Sequence, residues 1–269
     1  MAGNTYAMAA IYGDGTDEDK RHRRSRTSYL EYHYTAKHLE GLISKHDRLL
    51  EVGCATGYFG FHFADQFREY VGVDLHPPHI ERFREKIEAH KMDHLSCRVG
   101  DATDLGMFEE GSFDLVFCLG PMYHLPARER ETAFAECARV CKQDGILAFA
   151  YMNRVGVYTG ACLLGGLDGH YPNARANQLI LEENRDDARP DSFFYTMPEE
   201  IEAVAARHGL EKIKNLGTDF SIAMRLVDRM ADDRFELMKP LYDQMTRYES
   251  CTGMSNHALL ICRKSVASL

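Results

Sequence analysis

Three acidic residues stand where apolar runs end. Glu51 lies in Leu49-Leu50-Glu51-Val52, Asp74 closes Tyr70-Val71-Gly72-Val73, and Asp101 follows Leu95 to Gly100. A carboxylate at such a place can accept hydrogen bonds from a ligand or balance a positive charge. The first run leads directly into Gly53-Cys54-Ala55-Thr56-Gly57 and then an amphipathic stretch, Tyr58 to Phe67. A strand, a tight turn and a helix in that order aim free backbone N–H groups at whatever lies above the strand. Small residues let that ligand come close to the backbone. The stretch therefore reads as a nucleotide-type cradle at the carboxyl end of a first parallel strand. A dinucleotide turn has the spacing G-x-G-x-x-G. Here Gly53 is followed by Ala55, Gly57 and Gly60, outside that register. Glu51 would repel a pyrophosphate, whereas a cationic ligand without phosphate suits it.

Glu51 to Gly57 resembles the first motif of class I S-adenosylmethionine-dependent methyltransferases, (D/E)-x-G-x-G-x-G. Glu51, Gly53 and Gly57 match, and Ala55 replaces the central glycine. S-adenosylmethionine carries a sulfonium and an ammonium and has no phosphate. Leu119-Gly120-Pro121-Met122-Tyr123-His124-Leu125 looks like the L-G-P-L-Y-H-L signature of a bacterial branch of that family, with Met122 for leucine. The N-P-P-Y-type motif of enzymes that methylate amino groups of bases or glutamine is absent. The resemblance covers roughly residues 20–265 and implies a set of contacts. Asp74, with Leu75 beside it, would hold the ribose hydroxyls; as an isolated aspartate it would be a helix N-cap or a surface acid. Asp101 would take the adenine amino group and the N–H of Ala102 a ring nitrogen. Asp104 competes with Asp101, which is nearer the strand end. Cys118 and Leu119 would border the sulfonium. The run Lys20 to Arg26 is either a solvated helix start or the source of a cation, Arg26, for the methionine carboxylate.

The reaction so implied is methyl transfer to a small-molecule acceptor by in-line displacement, leaving S-adenosylhomocysteine. Alignment is then the main task, since effective molarities of well-oriented partners reach about 10⁵–10⁸ M. A base is needed only when the acceptor must lose a proton. His124 is either that base or a structural histidine bonded to loop backbone. Tyr123 would pack on the cofactor or the acceptor. Asn153 and Arg154 would orient an acceptor or form an external salt bridge.

These residues need a frame. The helical pattern from Tyr29 to Ile43 places Leu30, Tyr34, His38 and Leu42 on one stripe. Pro77-Pro78 opens a helix to about His90. Residues 126–143 form an amphipathic helix stopped by Gln143-Asp144-Gly145, before a fifth strand, Ile146 to Tyr151. Residues 155–194 are too long for an ordinary connection and read as a substrate cap with one or two helices. Thr196 to Glu199 starts a helix ending near Gly209, and Leu210 to Leu216 is the sixth strand. Residues 218–250 insert a second helical piece, with Phe235, Met238, Leu241, Tyr242, Met245 and Tyr248 on one stripe around Pro240. His257 to Cys262 is the last strand. The resemblance implies an α/β fold with a Rossmann-like seven-stranded sheet, order 3-2-1-4-5-7-6, last strand antiparallel, with helical cap insertions. The organisation expected is an N-terminal arm and helix (1–45), core (46–154, 195–217 and 251–269) and two cap insertions (155–194 and 218–250).

Composition excludes several alternatives. The chain has 269 residues, 45% of them apolar, and a net charge of −9. The apolar content supplies a full core, and the acidity disfavours nucleic acid and anionic membranes as partners. No apolar run has the length of a membrane span. Met1 to Gly15 lacks the basic start and apolar block of a signal peptide. Eight scattered cysteines fit a reducing cytoplasm. Cys137 and Cys141, one helical turn apart, read as core packing rather than a metal pair, and no metal is expected. Two other readings stay open: a methyltransferase acting on RNA or protein, resting on the basic run, and a non-catalytic S-adenosylmethionine binder or nicotinamide-linked enzyme on a similar sheet.

Overall fold

Strand β1 (Arg48–Val52) lies at the centre of a seven-stranded sheet. The computed structural model describes residues 12, 18–163, 172–182, 193–220 and 227–265. Around β1 stand β2 (Glu69–Asp74), β3 (Leu95–Val99), β4 (Phe113–Cys118), β5 (Cys141–Met152), β6 (Leu210–Gly217) and β7 (His257–Lys264). Their order is β3-β2-β1-β4-β5-β7-β6. β7 pairs antiparallel with both β5 and β6, and the remaining pairs are parallel. This is the architecture the resemblance implied.

The central strands are apolar on both faces, as buried parallel strands must be. Adjacent residues serve opposite layers. Leu50, Val52, Val71 and Val116 share one core with Phe134 and Phe149. Leu49, Tyr70, Leu115 and Phe117 share the other with Leu39, Phe63 and Phe83. The first layer lies under α5 (Ala127–Val140) and α8 (Pro198–Arg207); the second under α2 (Arg26–Glu40), α3 (Tyr58–His62) and α4 (Pro77–His90). β1 has β2 on one side and β4 on the other, so the strand order reverses there and a crevice opens above the carboxyl ends.

Several element boundaries differ from the pattern-based expectation. α3 stops at His62 instead of reaching Phe67, because aromatic residues and Gly60 propagate a helix poorly. α5 ends at Val140 and β5 begins at Cys141. Gln143-Asp144-Gly145 is therefore an irregularity inside the strand, with Asp144 at φ 61° and a register shift against β4. In α9 (Asp232–Met245), Phe235, Met238, Tyr242 and Met245 pack on Leu30, Tyr34 and Phe220. Leu241 and Tyr248 are 53% and 57% exposed and leave the expected stripe. Leu241 is rotated about 100° from Tyr242, and Tyr248 lies beyond the helix end.

Residues 155–194 contain most of α6 (Arg154–Leu163), a short α7 (Ala174–Asn177) and the turn Gln178–Glu182. Tyr158, Ala176 and Ile180 make a small cluster of their own. Residues 164–171 and 183–192 of the expected first cap, and 1–11 and 13–17 of the expected N-terminal arm, lie outside the described residues.

Ala55 at φ 46° and Gly57 at φ 84° shape the turn after β1. A Cβ on Gly57 would stand 2.2 Å from the Phe83 ring. Gly57→Ala should destabilise the fold by about 3 kcal/mol, combining roughly 1–2 for the left-handed backbone with roughly 1–3 for overpacking. Ala55→Gly should be neutral or stabilising. Urea denaturation of the two variants checks both signs.

Candidate functional site

β1, β2 and β3 end side by side, and the loop after β4 closes over them. Glu51, Gly53, Ala55, Asp74, Leu75, Asp101, Ala102, Leu119, Tyr123 and His124 consequently line one cavity. The space, open mouth included, is about 1260 Å³. Gly53 must be glycine because a Cβ would lie 2.5 Å from Pro121 Cδ.

Asp74 ties the cradle together. Its Oδ2 accepts the Ala55 N–H at 2.8 Å, and its Oδ1 accepts the His76 N–H at 2.9 Å and faces His79 Nδ1 at 3.2 Å. The first of these bonds holds Ala55 in the left-handed conformation that glycine adopts more readily. A carboxylate has about four lone-pair sites, so capacity remains toward the cavity. Asp101 Oδ1 accepts both the N–H and the hydroxyl of Thr103, at 2.9 and 2.8 Å, and no described residue hydrogen-bonds Oδ2. Asp104 is exposed and caps the Gly106 N–H at 3.1 Å; it does not line the cavity.

Glu51 changes the electrostatic expectation. It is buried and accepts the Tyr70 hydroxyl at Oε2. Burial first, with the nearby Asp74 adding, outweighs that bond and pushes its carboxyl up to about 8. The group is thus neutral near pH 7 rather than a standing negative charge. An arriving cation would supply the missing counter-charge and ionise it.

Three expected cofactor residues do not line the cavity. Gly57 turns toward Phe83. Cys118 is fully buried in the core cluster that also holds Cys137. Arg26 is corrected outright. Its guanidinium donates to Val227 O at 2.8 Å and to Met230 O, and pairs with Asp232, fastening α2 to the second insertion. Arg21 in the short helix α1 (Arg21–Arg24) is the cation of the basic run that lines the cavity. It faces Glu31 at 3.4 Å and Glu18 at 3.7 Å. The run pointed to a cation, but not to which of its residues faces inward.

Tyr123 donates its hydroxyl to Leu119 O at 3.3 Å, bracing the loop, and burial pushes the phenol up to about 12. His124 Nε2 meets the Tyr12 hydroxyl at 2.7 Å. Burial pushes the Tyr12 phenol well up, so its hydroxyl stays protonated, and the direction of this bond follows the His124 tautomer. Asn153 and Arg154 are not among the lining residues. Arg154 binds Glu200 through both nitrogens, at 3.2 and 2.7 Å, and Asn153 donates to Thr252 O at 3.1 Å. They anchor the end of β5 to α8 and to the turn Glu249–Met254. Among the described residues no group of three or more His, Cys, Asp or Glu is arranged to hold a metal ion.

Pattern reading missed Glu31 and His257, which line the opposite wall. His257 was visible only as the first residue of the last strand. Its Nδ1 lies 2.7 Å from Asp219 Oδ2 and 3.9 Å from Glu31 Oε2.

The Glu51 shift has a measurable consequence. Between the ordinary value, 4.5, and about 8 the folded chain holds a proton that the unfolded chain releases. Stability of the ligand-free protein therefore falls as pH rises through that window. Glu51→Gln should remove this loss, making the variant more stable than the parent at pH 9 by a few kcal/mol, roughly, while weakening capture of a cationic ligand. Melting curves at pH 5 and pH 9 check the sign.

Residues 49–145 match the family model described as "Methyltransferase domain". The ubiquinone biosynthesis O-methyltransferase of Alkalilimnicola ehrlichii is 30% identical over 126 residues, 46% of this chain and 49% of that one. The chain thus spans about half the length of the curated relatives it matches. A chain from the complex of the Haloferax volcanii Trm112 methyltransferase activator with a methyltransferase has a TM-score of 0.63. It is 19% identical, with 98% of this chain and 99% of that chain covered. Geranyl diphosphate C-methyltransferase of Streptomyces coelicolor, solved with Mg²⁺, geranyl diphosphate and S-adenosylhomocysteine, has a TM-score of 0.55. Its identity is 14%, with 87% of this chain and 79% of that one covered. Sheet order, the acid-ended strands and the matched domain agree: residues 49–145 are similar to a methyltransferase domain, and the sheet around them has the Rossmann-like fold of solved methyltransferases.

Proposed function

We propose that the chain moves a methyl group from S-adenosylmethionine to a hydroxyl oxygen of a small-molecule acceptor by in-line displacement, leaving S-adenosylhomocysteine. The observation that carries this reading is the convergence of Glu51, Asp74 and Asp101 with Arg21 in one cavity. The residues fit the donor. Among the described residues, the buried Glu51 carboxyl has no cationic partner and Asp101 Oδ2 has no hydrogen-bond partner. Asp74 and Leu75 are assigned to the ribose, Asp101 and Ala102 to the adenine, Gly53, Ala55 and Leu119 to the methionine end, and Arg21 to its carboxylate. The sulfonium is itself the activating group, so this chain's residues have only to hold the donor, align the acceptor and manage its proton.

A small acceptor is supported by the aromatic walls around Tyr12, Tyr32 and Tyr123 and by the name of the Alkalilimnicola relative. An RNA or protein acceptor loses support. Arg21 and Arg26, two arginines of the basic run, are already paired with Glu31 and Asp232, and the net charge is −9. Eight free thiols support a cytoplasmic, reducing setting.

Calorimetry with S-adenosylhomocysteine and NAD tests the donor assignment. Micromolar binding of the first and none of the second is expected; the reverse preference sinks the reading. Asp74→Ala should weaken S-adenosylhomocysteine binding by about 1–3 kcal/mol, and an unaltered affinity would remove the ribose role. The acceptor is identified by incubating the protein with methyl-labelled S-adenosylmethionine and a metabolite extract, then characterising the labelled product.

A further inference from the structure

The wall opposite the three acids contains a second built arrangement. β6 ends at Gly217, and the backbone N–H groups of Thr218, Asp219 and Phe220 all point at Ser255 Oγ, at 3.1, 3.0 and 2.9 Å. Three convergent donors on one hydroxyl make a nest. Forming it forces Phe220 to φ 48°, an outlier for a bulky residue. It also requires glycine at 217, where a Cβ would sit 2.6 Å from Ser255 Cβ. Strain of this kind persists where surrounding structure over-determines it, commonly at functional sites.

What the nest holds in place is the Asp219 carboxylate, 1% exposed. Oδ1 accepts the backbone N–H groups of Asn256 and His257 at 2.8 and 3.1 Å. Oδ2 faces His257 Nδ1 at 2.7 Å. A carboxylate on Nδ1 makes that nitrogen the donor and leaves the lone pair of the neutral ring on Nε2. No described residue hydrogen-bonds Nε2, and the ring lines the cavity, its centroid 6.0 Å from that of Tyr123. His124, the base candidate from the sequence, instead has its Nε2 engaged by Tyr12.

We infer that His257, oriented by Asp219, is the general base that removes the acceptor's hydroxyl proton. This rests on the methyl-transfer reading above. In the step, the acceptor O–H proton passes to Nε2 while the oxygen–methyl bond forms. The methyl–sulfur bond breaks with its electron pair remaining on sulfur, and the imidazolium later returns the proton to water. His257 is the catalytic residue and Asp219 a positioning residue.

The groups facing the imidazole are Glu31 of α2, Arg21 of α1, Tyr123 after β4, and Asp219. Burial pushes the imidazole down, but Glu31 and then Asp219 push it up, and the net shift is upward. Below that raised value the ring is protonated and cannot act as a base, so turnover should climb with pH through it. Glu31→Gln should move this acid limb to lower pH, which a purely packing role for Glu31 would not do.

The test uses the full chain. His257→Gln should lower labelling of metabolite-extract products from methyl-labelled S-adenosylmethionine by about 10²–10⁴-fold, while its affinity for S-adenosylhomocysteine stays within threefold. Asp219→Asn should show a smaller loss of the same kind. Nitrogen-15 NMR of the S-adenosylhomocysteine complex should find the His257 proton on Nδ1 in the neutral ring. Labelling by His257→Gln within threefold of the parent, or a neutral-ring proton on Nε2, overturns the base assignment alone. A parent protein that labels nothing overturns the methyl-transfer reading and this inference with it.

Discussion

The Asp74 carboxylate joins the ends of two strands, and the rest of the site depends on that link. It stands at the end of β2 yet holds the backbone N–H of Ala55 in the turn after β1, at 2.8 Å. That single bond sets the curvature of the cradle, keeps Ala55 in a conformation that suits glycine, and presents a carboxylate to the crevice between β2 and β4. Parallel pairing of β1 with β2, and of β2 with β3, brings Glu51, Asp74 and Asp101 to the same edge without any further device.

Charge in the cavity is arranged in two groups of different character. At the strand ends stand the acids that the proposed function assigns to a positively charged donor, and burial holds Glu51 in its neutral form. Across the cavity, Arg21 faces Glu31, and His257 stands between Glu31 and Asp219, the four residues coming from four separate segments. The first group belongs to the Rossmann-like frame. The second depends on helices α1 and α2 folding over the sheet, and on the turn after β6 that holds Asp219.

The added segments have structural as well as lining roles. Asp19, beside the cavity-lining Glu18, pairs with Arg82 and with Lys86 at 2.9 Å, and Lys86 also reaches Thr56 O at 2.7 Å. The N-terminal segment is thereby stitched to α4 directly over the cradle turn. Arg26 and Thr27 at the start of α2 bind Val227, Met230 and Asp228 from the far insertion. Residues flanking the Rossmann-like frame in sequence thus complete the wall of the cavity.

The amino-acid sequence by itself showed the cradle turn and the acids at three strand ends, while the strand order was what the family resemblance implied. The turn and the acids rest on local chemistry: apolar runs that must be buried, small residues that allow a tight turn, and acids at fixed offsets from the strand ends. The loop Leu119 to Leu125 was legible through its resemblance to the family signature, and Tyr123 and His124 do line the cavity. Tertiary structure alone decided that Arg21 and not Arg26 faces inward, because the direction of a helical side chain depends on what the helix packs against. It alone made Glu51 neutral, because burial sets the cost of a charge. It alone paired His257 with Asp219, 38 residues apart, since no spacing rule connects the start of one strand to the turn after another until antiparallel β6 and β7 bring them together.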